Sequence, residues 1–102
     1  MKSSVLVIPK KVRKVSLLEK KTLIERGLKL NEEAGELAAE ILRFKGLKGA
    51  KGRTKDEILY DLHLEAVDCL LMSMDILVHT GASEKRIKEI IDSQLKKWEE
   101  NI

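Results

Sequence analysis

Two pairs of acidic residues stand at helical spacing inside stretches that are otherwise rich in aliphatic residues. Glu33 and Glu36 are three residues apart, and so are Glu65 and Asp68. Residues three apart lie on one face of a helix, so each pair presents two carboxylates on one side. If the two helices pack antiparallel, the four carboxylates converge and repel one another unless a cation relieves the repulsion. Mg²⁺ prefers oxygen ligands, so the spacing indicates a magnesium site on a helical pair.

The second pair belongs to a helix predicted from Lys55 to about Thr80. Most of this helix is aliphatic, but one stripe about 80° wide is largely polar. The stripe comprises Asp61, Glu65, Asp68, Met72, Asp75 and His79. Buried carboxylates are costly unless they are paired or bind a metal. Spacing alone leaves a second interpretation open, in which both acidic faces are solvated. The outer residues of the stripe, Asp61, Asp75 and His79, could extend the site or pair with cations of another subunit.

The two acidic motifs and the gap between them resemble the signature of a known family. The combined pattern is Glu32-Glu33-x-x-Glu36 followed by Glu65-x-x-Asp68. It is similar to the EExxE and ExxD motifs of the all-α nucleoside triphosphate pyrophosphohydrolases of the MazG type. The context of the first motif, residues 29–37, is also typical of that family. The resemblance covers about residues 24–78.

The resemblance implies a fold, an activity and an assembly. The expected fold is an all-α, MazG-like helical bundle completed by oligomerisation, with residues 1–15 as an N-terminal arm and residues 16–102 as the helical domain. The expected activity is Mg²⁺-dependent hydrolysis of a (deoxy)nucleoside triphosphate to the monophosphate and pyrophosphate, which would clear surplus or non-standard nucleotides. Relatives with this fold form dimers or tetramers and differ in substrate, so a diphosphate or phosphoribosyl-ATP is an alternative.

The resemblance also implies roles for individual residues. The expected ligands of Mg²⁺ or Mn²⁺ are Glu33, Glu36, Glu65 and Asp68. Glu32 is the candidate catalytic residue, which would orient or deprotonate the attacking water. From its position beside Glu36 alone, Glu32 could equally be a further metal ligand or an exposed charge.

A glycine-rich basic loop is predicted between the two acidic helices, at residues 46–55. Its cations Lys48, Lys51 and Arg53 could bind a polyphosphate, because flexible glycines let side chains and backbone donors approach it. The alternative is a solvated turn. Lys29 could contact phosphate in the same way, or it could simply pair with Glu33 four residues later.

Local signals predict where the helices begin and end. Capping boxes occur at Ser16-x-x-Glu19, Thr22-x-x-Glu25 and Thr54-x-x-Glu57, and each predicts a helix start. The first helical region is predicted to be continuous or broken near Thr22, and to end near Lys45. Gly81 is a predicted C-terminal stop, and Ser83 is predicted to cap a last helix over residues 84–100.

The helix that carries Glu33 is predicted to have a charged side and a core side. The core side is expected to hold Leu30, Ala34, Leu37, Ala38 and Ile41. Gly35 and the alanines are expected to permit the close approach of a second helix.

The first fifteen residues do not have a helical pattern. The apolar run at residues 5–9 ends at the only proline and predicts a strand, an extended arm over a neighbouring subunit, or a disordered terminus. The basic run at residues 10–14 supports an alternative function, a non-catalytic helical interaction module whose N-terminal arm contacts nucleic acid.

Composition supports one helix-rich domain of 102 residues with a net charge of +3 and three aromatic residues. This charge is too small to indicate nucleic-acid binding by itself. A chain this short buries a modest core, which favours a homodimer or homotetramer. The single Cys69 and the absence of a signal peptide or a long apolar run predict a cytoplasmic protein without a membrane segment.

Overall fold

The computed structural model describes residues 6–102, which form four α-helices and no strand. The helices are α1 (Lys10–Leu18), α2 (Leu23–Phe44), α3 (Lys55–His79) and α4 (Glu84–Glu100). The prediction of an all-α chain is confirmed. None of these helices is long and apolar enough to span a membrane.

Three of the predicted helix starts are confirmed. The Thr22 hydroxyl accepts a hydrogen bond from the Glu25 amide at 3.2 Å, and the Glu25 carboxylate accepts one from the Thr22 amide at 2.8 Å. Thr54 caps α3 with the same reciprocal pair, and Ser83 caps α4. Gly81 has a φ of 80°, a conformation that glycine adopts without strain and that ends α3 as predicted.

The N-terminal expectation was wrong, because residues 10–15 are helical. Pro9 precedes the first turn of α1, where its fixed φ and missing N–H suit a helix start. The predicted capping box at Ser16 was also wrong. Ser16 lies in the last turns of α1 and donates its hydroxyl hydrogen bond to Asp75 at 2.5 Å. The helical region is broken before Thr22, and α1 crosses the expected boundary between arm and domain.

The segment before α1 lies against the start of α4 of the same chain. The amides of Val7 and Ile8 donate hydrogen bonds to the Glu84 carboxylate at 2.8 and 3.3 Å, and Ile8 is fully buried. Arg13, from the basic run, binds the same carboxylate at 2.6 Å. The strand was therefore wrong for residues 6–9, which lie against their own chain, while residues 1–5 of the predicted arm lie outside the described part.

Helices α2 and α3 form an antiparallel hairpin, as predicted. Arg26 near the start of α2 pairs with Asp75 near the end of α3. Glu40 near the end of α2 pairs with Arg53 just before α3. This pairing places the acidic stripe of α3 against α2, inside the hairpin.

The expected core side of α2 is only partly confirmed. Leu30 and Leu37 are half-buried, but Ala34, Ala38 and Ile41 are exposed. The physical reason is that the polar stripe of α3 packs on the charged side of α2, which leaves most of the aliphatic side facing outwards. The surface between α2 and α3 therefore contains charged residues, while the outer surface of the hairpin carries exposed apolar side chains.

Candidate metal centre

The interface between α2 and α3 contains three charged layers. They are the Arg26 layer (Arg26 and Asp75), the middle layer (Glu33, Glu65 and Asp68) and the Arg53 layer (Glu40, Arg53 and Asp61). On α2 the layers fall at positions 26, 33 and 40, and on α3 at positions 75, 68 and 61. Seven residues are about two helical turns, so adjacent layers lie about 10 Å apart.

The Arg26 layer is internally compensated. Arg26 is 3% exposed and pairs with the Asp75 carboxylate through Nη1. Its Nε donates to the Lys21 carbonyl and its Nη2 to the Glu19 carbonyl, both at 2.9 Å. Ser16 adds a second donor to Asp75. One buried guanidinium therefore ties α1, the turn after it, α2 and α3 together.

The Arg53 layer is compensated in the same way. Arg53 binds both oxygens of the Glu40 carboxylate, at 2.7 and 2.9 Å, and also pairs with Asp61. Arg43 adds a third cationic contact at 3.1 Å. The Arg53 hydrogen bonds hold the pKa of buried Glu40 down to about 2. The acids at both ends of the stripe, Asp61 and Asp75, thus pair with arginines of their own chain rather than with another subunit.

The middle layer has no arginine among the described residues. One oxygen from each of Glu33, Glu65 and Asp68 lies within 4.8 Å of the others, and we call this group the carboxylate cluster. The nearest cation is Lys29, whose ammonium is 3.2 Å from Glu33 and 2.9 Å from Glu32. That side chain is 42% exposed, so it lies at the edge of the cluster rather than inside it.

The pKa values in the cluster reflect the lack of a buried cation among the described residues. Burial, and then the neighbouring Glu33, raise the pKa of Glu65 to about 7. The Lys29 hydrogen bond lowers the pKa of Glu33. The Oε2 atom of Glu65 is buried and has no hydrogen-bond partner in the described part of the chain. Burial also raises the pKa of the Cys69 thiol, which does not favour a nucleophilic thiolate there.

The cluster fits an oxygen-preferring divalent cation. Oxygens bound to one Mg²⁺ lie about 3 to 4 Å apart, so small side-chain rotations would bring the three carboxylates into range. The unpartnered Oε2 of Glu65 would gain a partner. A purely carboxylate donor set favours Mg²⁺ or Mn²⁺ over softer metals.

The remaining predicted residues lie at different distances from the cluster. Glu36 is exposed one turn beyond Glu33, yet its charge still contributes to the raised pKa of Glu65. Glu32 is 62% exposed and paired with Lys29. Lys48 and Lys51 are exposed on the loop, where their role stays a prediction. Arg53 is held in its own layer by Glu40 and Asp61.

A cavity of about 380 Å³ lies between α1, α2 and α3 at the level of the Arg26 layer, and both Arg26 and Asp75 line it. Its walls are mostly apolar and include Val12, Val15, Lys29, Leu71 and Met72. Lys29 lies one turn before Glu33 on α2, and Met72 lies one turn after Asp68 on α3. Lys29 connects the two features, because it lines the cavity and also contacts Glu33 of the carboxylate cluster.

Arg26 is the residue that sequence interpretation missed. Its position was nevertheless readable, because it stands seven residues before Glu33 just as Asp75 stands seven after Asp68. A repeat of charged positions at this spacing on two antiparallel helices indicates polar layers that face one another.

Comparisons of the chain with known protein families, curated proteins and solved structures gave no significant match. The two acidic motifs and their spacing are thus what the resemblance rests on. The geometry of the carboxylate cluster is independent of that resemblance.

Proposed function

We propose that this protein is a Mg²⁺-dependent or Mn²⁺-dependent nucleotide pyrophosphohydrolase of the MazG type, which converts a (deoxy)nucleoside triphosphate to the monophosphate and pyrophosphate. One observation carries the proposal. Within the described residues, the middle layer of the hairpin holds three carboxylates without a buried cation. In the Arg26 layer one arginine balances one carboxylate, and in the Arg53 layer Arg53 and Arg43 balance two. The same three residues belong to the two acidic motifs.

Each residue of the site has a distinct task in this proposal. Glu33, Glu65 and Asp68 hold the cation, and Glu36 completes the set from the exposed edge. When bound, the cation neutralises triphosphate oxygens and activates water as a nucleophile. Glu32 takes the proton as the water oxygen bonds to the α-phosphorus. The bond from the α-phosphorus to the bridging oxygen breaks, and pyrophosphate leaves.

The cavity and the basic residues position the substrate. The apolar walls of the cavity suit the base and sugar, because ligand pockets are mostly apolar with a few polar groups. Lys29 lines the cavity and contacts Glu33, so it can exchange that contact for a phosphate oxygen. Lys48 and Lys51 would contact the distal phosphates, whereas Arg53 supports the loop through Glu40.

The proposed setting is the cytoplasm, where such an enzyme would clear unwanted nucleotides as a homodimer or homotetramer. The protomer exposes many large apolar side chains on α2 and α3, including Ile24, Leu28 and Val67. Where such side chains form one patch, they usually mark an interaction site.

The experiment that tests the proposal measures pyrophosphate release from standard and modified nucleoside triphosphates with Mg²⁺. We expect Asp68→Asn to reduce kcat/KM by more than tenfold, which corresponds to about 1.4 kcal/mol of transition-state stabilisation. The control is Asp56→Asn, the same substitution at an exposed position of α3, and it should change little.

Two results would contradict the proposal. One is activity that is equal in EDTA and in excess Mg²⁺. The other is an Asp68→Asn variant that retains more than a tenth of the wild-type kcat/KM. Salt-sensitive binding to DNA or RNA without any nucleotide hydrolysis would instead support the interaction module with a basic N-terminal arm.

A further inference from the structure

Three polar residues with little solvent exposure line the cavity between α1, α2 and α3, namely Ser16, Arg26 and Asp75. Ser16 is 6% exposed and Arg26 is 3% exposed, while the Asp75 side chain is 17% exposed. The other walls are mostly apolar. A ligand that fills this cavity therefore has to satisfy the hydrogen-bonding groups of these three residues, because a buried polar group without a partner is costly.

The donors of Ser16 and Arg26 are directed at their own chain. Arg26 donates from Nε and Nη2 to two backbone carbonyls and from Nη1 to Asp75. The Ser16 hydroxyl donates to Oδ1 of Asp75 at 2.5 Å, and a hydroxyl has a single proton to donate. Neither residue is thus placed to recognise an acceptor on a ligand.

The second carboxylate oxygen of Asp75 is still able to accept a hydrogen bond. The bonds from Ser16 and Arg26 both end on Oδ1. Within residues 6–102 no hydrogen bond ends on Oδ2, and this atom is not sealed from solvent. An ionised carboxylate only accepts hydrogen bonds. Because Asp75 lines the cavity, Oδ2 presents a fixed acceptor to a ligand there.

The lysines that line the cavity are much more exposed than these three residues. Lys11 and Lys21 are exposed, and Lys29 is 42% exposed and contacts Glu33 of the carboxylate cluster. A nucleotide whose phosphates bind at Lys29 and the cluster would direct its base into the apolar cavity, towards Asp75. The volume of about 380 Å³ falls within the range of about 300–1,000 Å³ for small-ligand pockets.

We propose that Asp75 makes this site selective for nucleotides whose base carries an exocyclic amino group, such as cytosine, over bases with a carbonyl at that position, such as uracil. The inference rests on the proposed function, because it names the bases that the same site accepts. The amino group donates a hydrogen bond to Oδ2. A carbonyl oxygen would place an acceptor against an acceptor, and both would lose water without gaining a partner. Arg26 and Ser16 act as positioning residues, because they hold the carboxylate through Oδ1.

The test compares CTP with UTP, which differ only at the ring edge that carries the amino or carbonyl group. We expect wild-type kcat/KM for pyrophosphate release with Mg²⁺ to be at least about tenfold higher for CTP. Calorimetry with the non-hydrolysable α,β-methylene analogues of both nucleotides should show the same preference in binding. The binding measurement does not require turnover.

Asp75→Asn should reverse the preference. Its amide oxygen would still accept from Arg26 and Ser16, so the amide nitrogen takes the place of Oδ2 and presents a donor to the base. We expect the ratio of kcat/KM for CTP to that for UTP to fall at least about tenfold. This ratio is independent of the fraction of protein that is folded, because both nucleotides are assayed with one preparation.

Two other variants complete the experiment. Asp92→Asn makes the same substitution at an exposed position of α4, and it should keep the wild-type ratio. Ser16→Ala removes one of the two bonds to Oδ1 without changing the charge, and it should lower the ratio by a smaller factor than Asp75→Asn. It replaces Asp75→Asn in the test if that variant does not fold.

Three results would overturn this inference. The first is a wild-type protein that hydrolyses CTP and UTP with equal kcat/KM. The second is a wild-type ratio in Asp75→Asn, or in Ser16→Ala where Asp75→Asn does not fold. The third is a lack of binding of either analogue. Preferential binding of the CTP analogue without release of pyrophosphate from CTP would instead contradict the proposed activity and support the selectivity.

Discussion

Replacing Glu65 with glutamine should make the protein more stable than wild type when Mg²⁺ is absent. With saturating Mg²⁺, wild type should be the more stable of the two. Glu65 is half-buried in the carboxylate cluster, and its Oε2 atom has no partner among the described residues. Burial and then Glu33 raise its pKa to about 7. At pH 8 without metal, ionised Glu65 therefore destabilises the native state, whereas an uncharged glutamine at this position does not.

The size of this cost follows from the pKa. A rise from 4.5 to about 7 corresponds to about 3 kcal/mol against the native state at high pH. Water and Lys29 screen the charges of the cluster, so we expect the measured loss in the free energy of unfolding to be about 1–2 kcal/mol. Between pH 4.5 and 7 the native protein binds more protons than the unfolded chain, so the cost is absent below this range, grows through it and is complete above it.

The assay is thermal unfolding at one protein concentration, in EDTA and in saturating Mg²⁺. In EDTA at pH 8, Glu65→Gln should melt about 5–10 °C above wild type, because 1 kcal/mol is about 4–8 °C for a domain of this size. Near pH 4 the two midpoints should coincide. Mg²⁺ at a hundred times its Kd should stabilise wild type by about 2.7 kcal/mol and the variant by much less.

Two outcomes would refute this reasoning. If Glu65→Gln melts below wild type in EDTA at pH 8, the carboxylates do not repel one another as described. If Mg²⁺ raises both midpoints equally, Glu65 does not bind the cation. Asp56→Asn should lower the midpoint slightly, because Asp56 lies in the first turn of α3, where a negative charge is favourable. Its response to Mg²⁺ should equal that of wild type, which excludes a general effect of removing a negative charge from α3.

Three further predictions concern the layers and the cavity. Arg26→Met should lower the free energy of unfolding by about 3–5 kcal/mol, because it leaves the Asp75 charge without its partner, and denaturant unfolding measures this loss. Glu40 has a pKa lowered to about 2, so its stabilising contribution is present above pH 4.5 and is lost as the pH falls towards 2. Glu40→Gln should therefore destabilise the protein at pH 7 and flatten its acid unfolding between these values. Met72→Trp should fill the cavity and raise the KM for nucleotide, while the stabilisation by Mg²⁺ in thermal unfolding stays at the wild-type value.

Most of the correctly predicted helix boundaries are set by local contacts, although the start of α1 after Pro9, which is also local, was missed. The reciprocal bonds at Thr22 and Thr54 join residues three apart, and Gly81 ends α3 through its own backbone conformation. Ser16 shows the limit of this reasoning, because its sequence context is that of a cap but its hydroxyl bonds Asp75, which is 59 residues away. A local sequence pattern cannot predict a hydrogen-bond partner such as Asp75, which lies close to Ser16 only in the folded chain.

Helical spacing in the sequence was enough to place Glu33 with Glu36, and Glu65 with Asp68, on one face of each helix. The folded chain was needed to show that Glu33 meets Glu65 and Asp68 and which charges are neutralised, because Arg26 and Arg53 reach their partners across helices. It also decided which face of α2 lies inside the hairpin. Periodicity separates the polar face of α2 from its apolar face, but it cannot tell which of the two packs on α3. Here the polar face lies inside because its charges are paired there, and most of the apolar side chains face outwards.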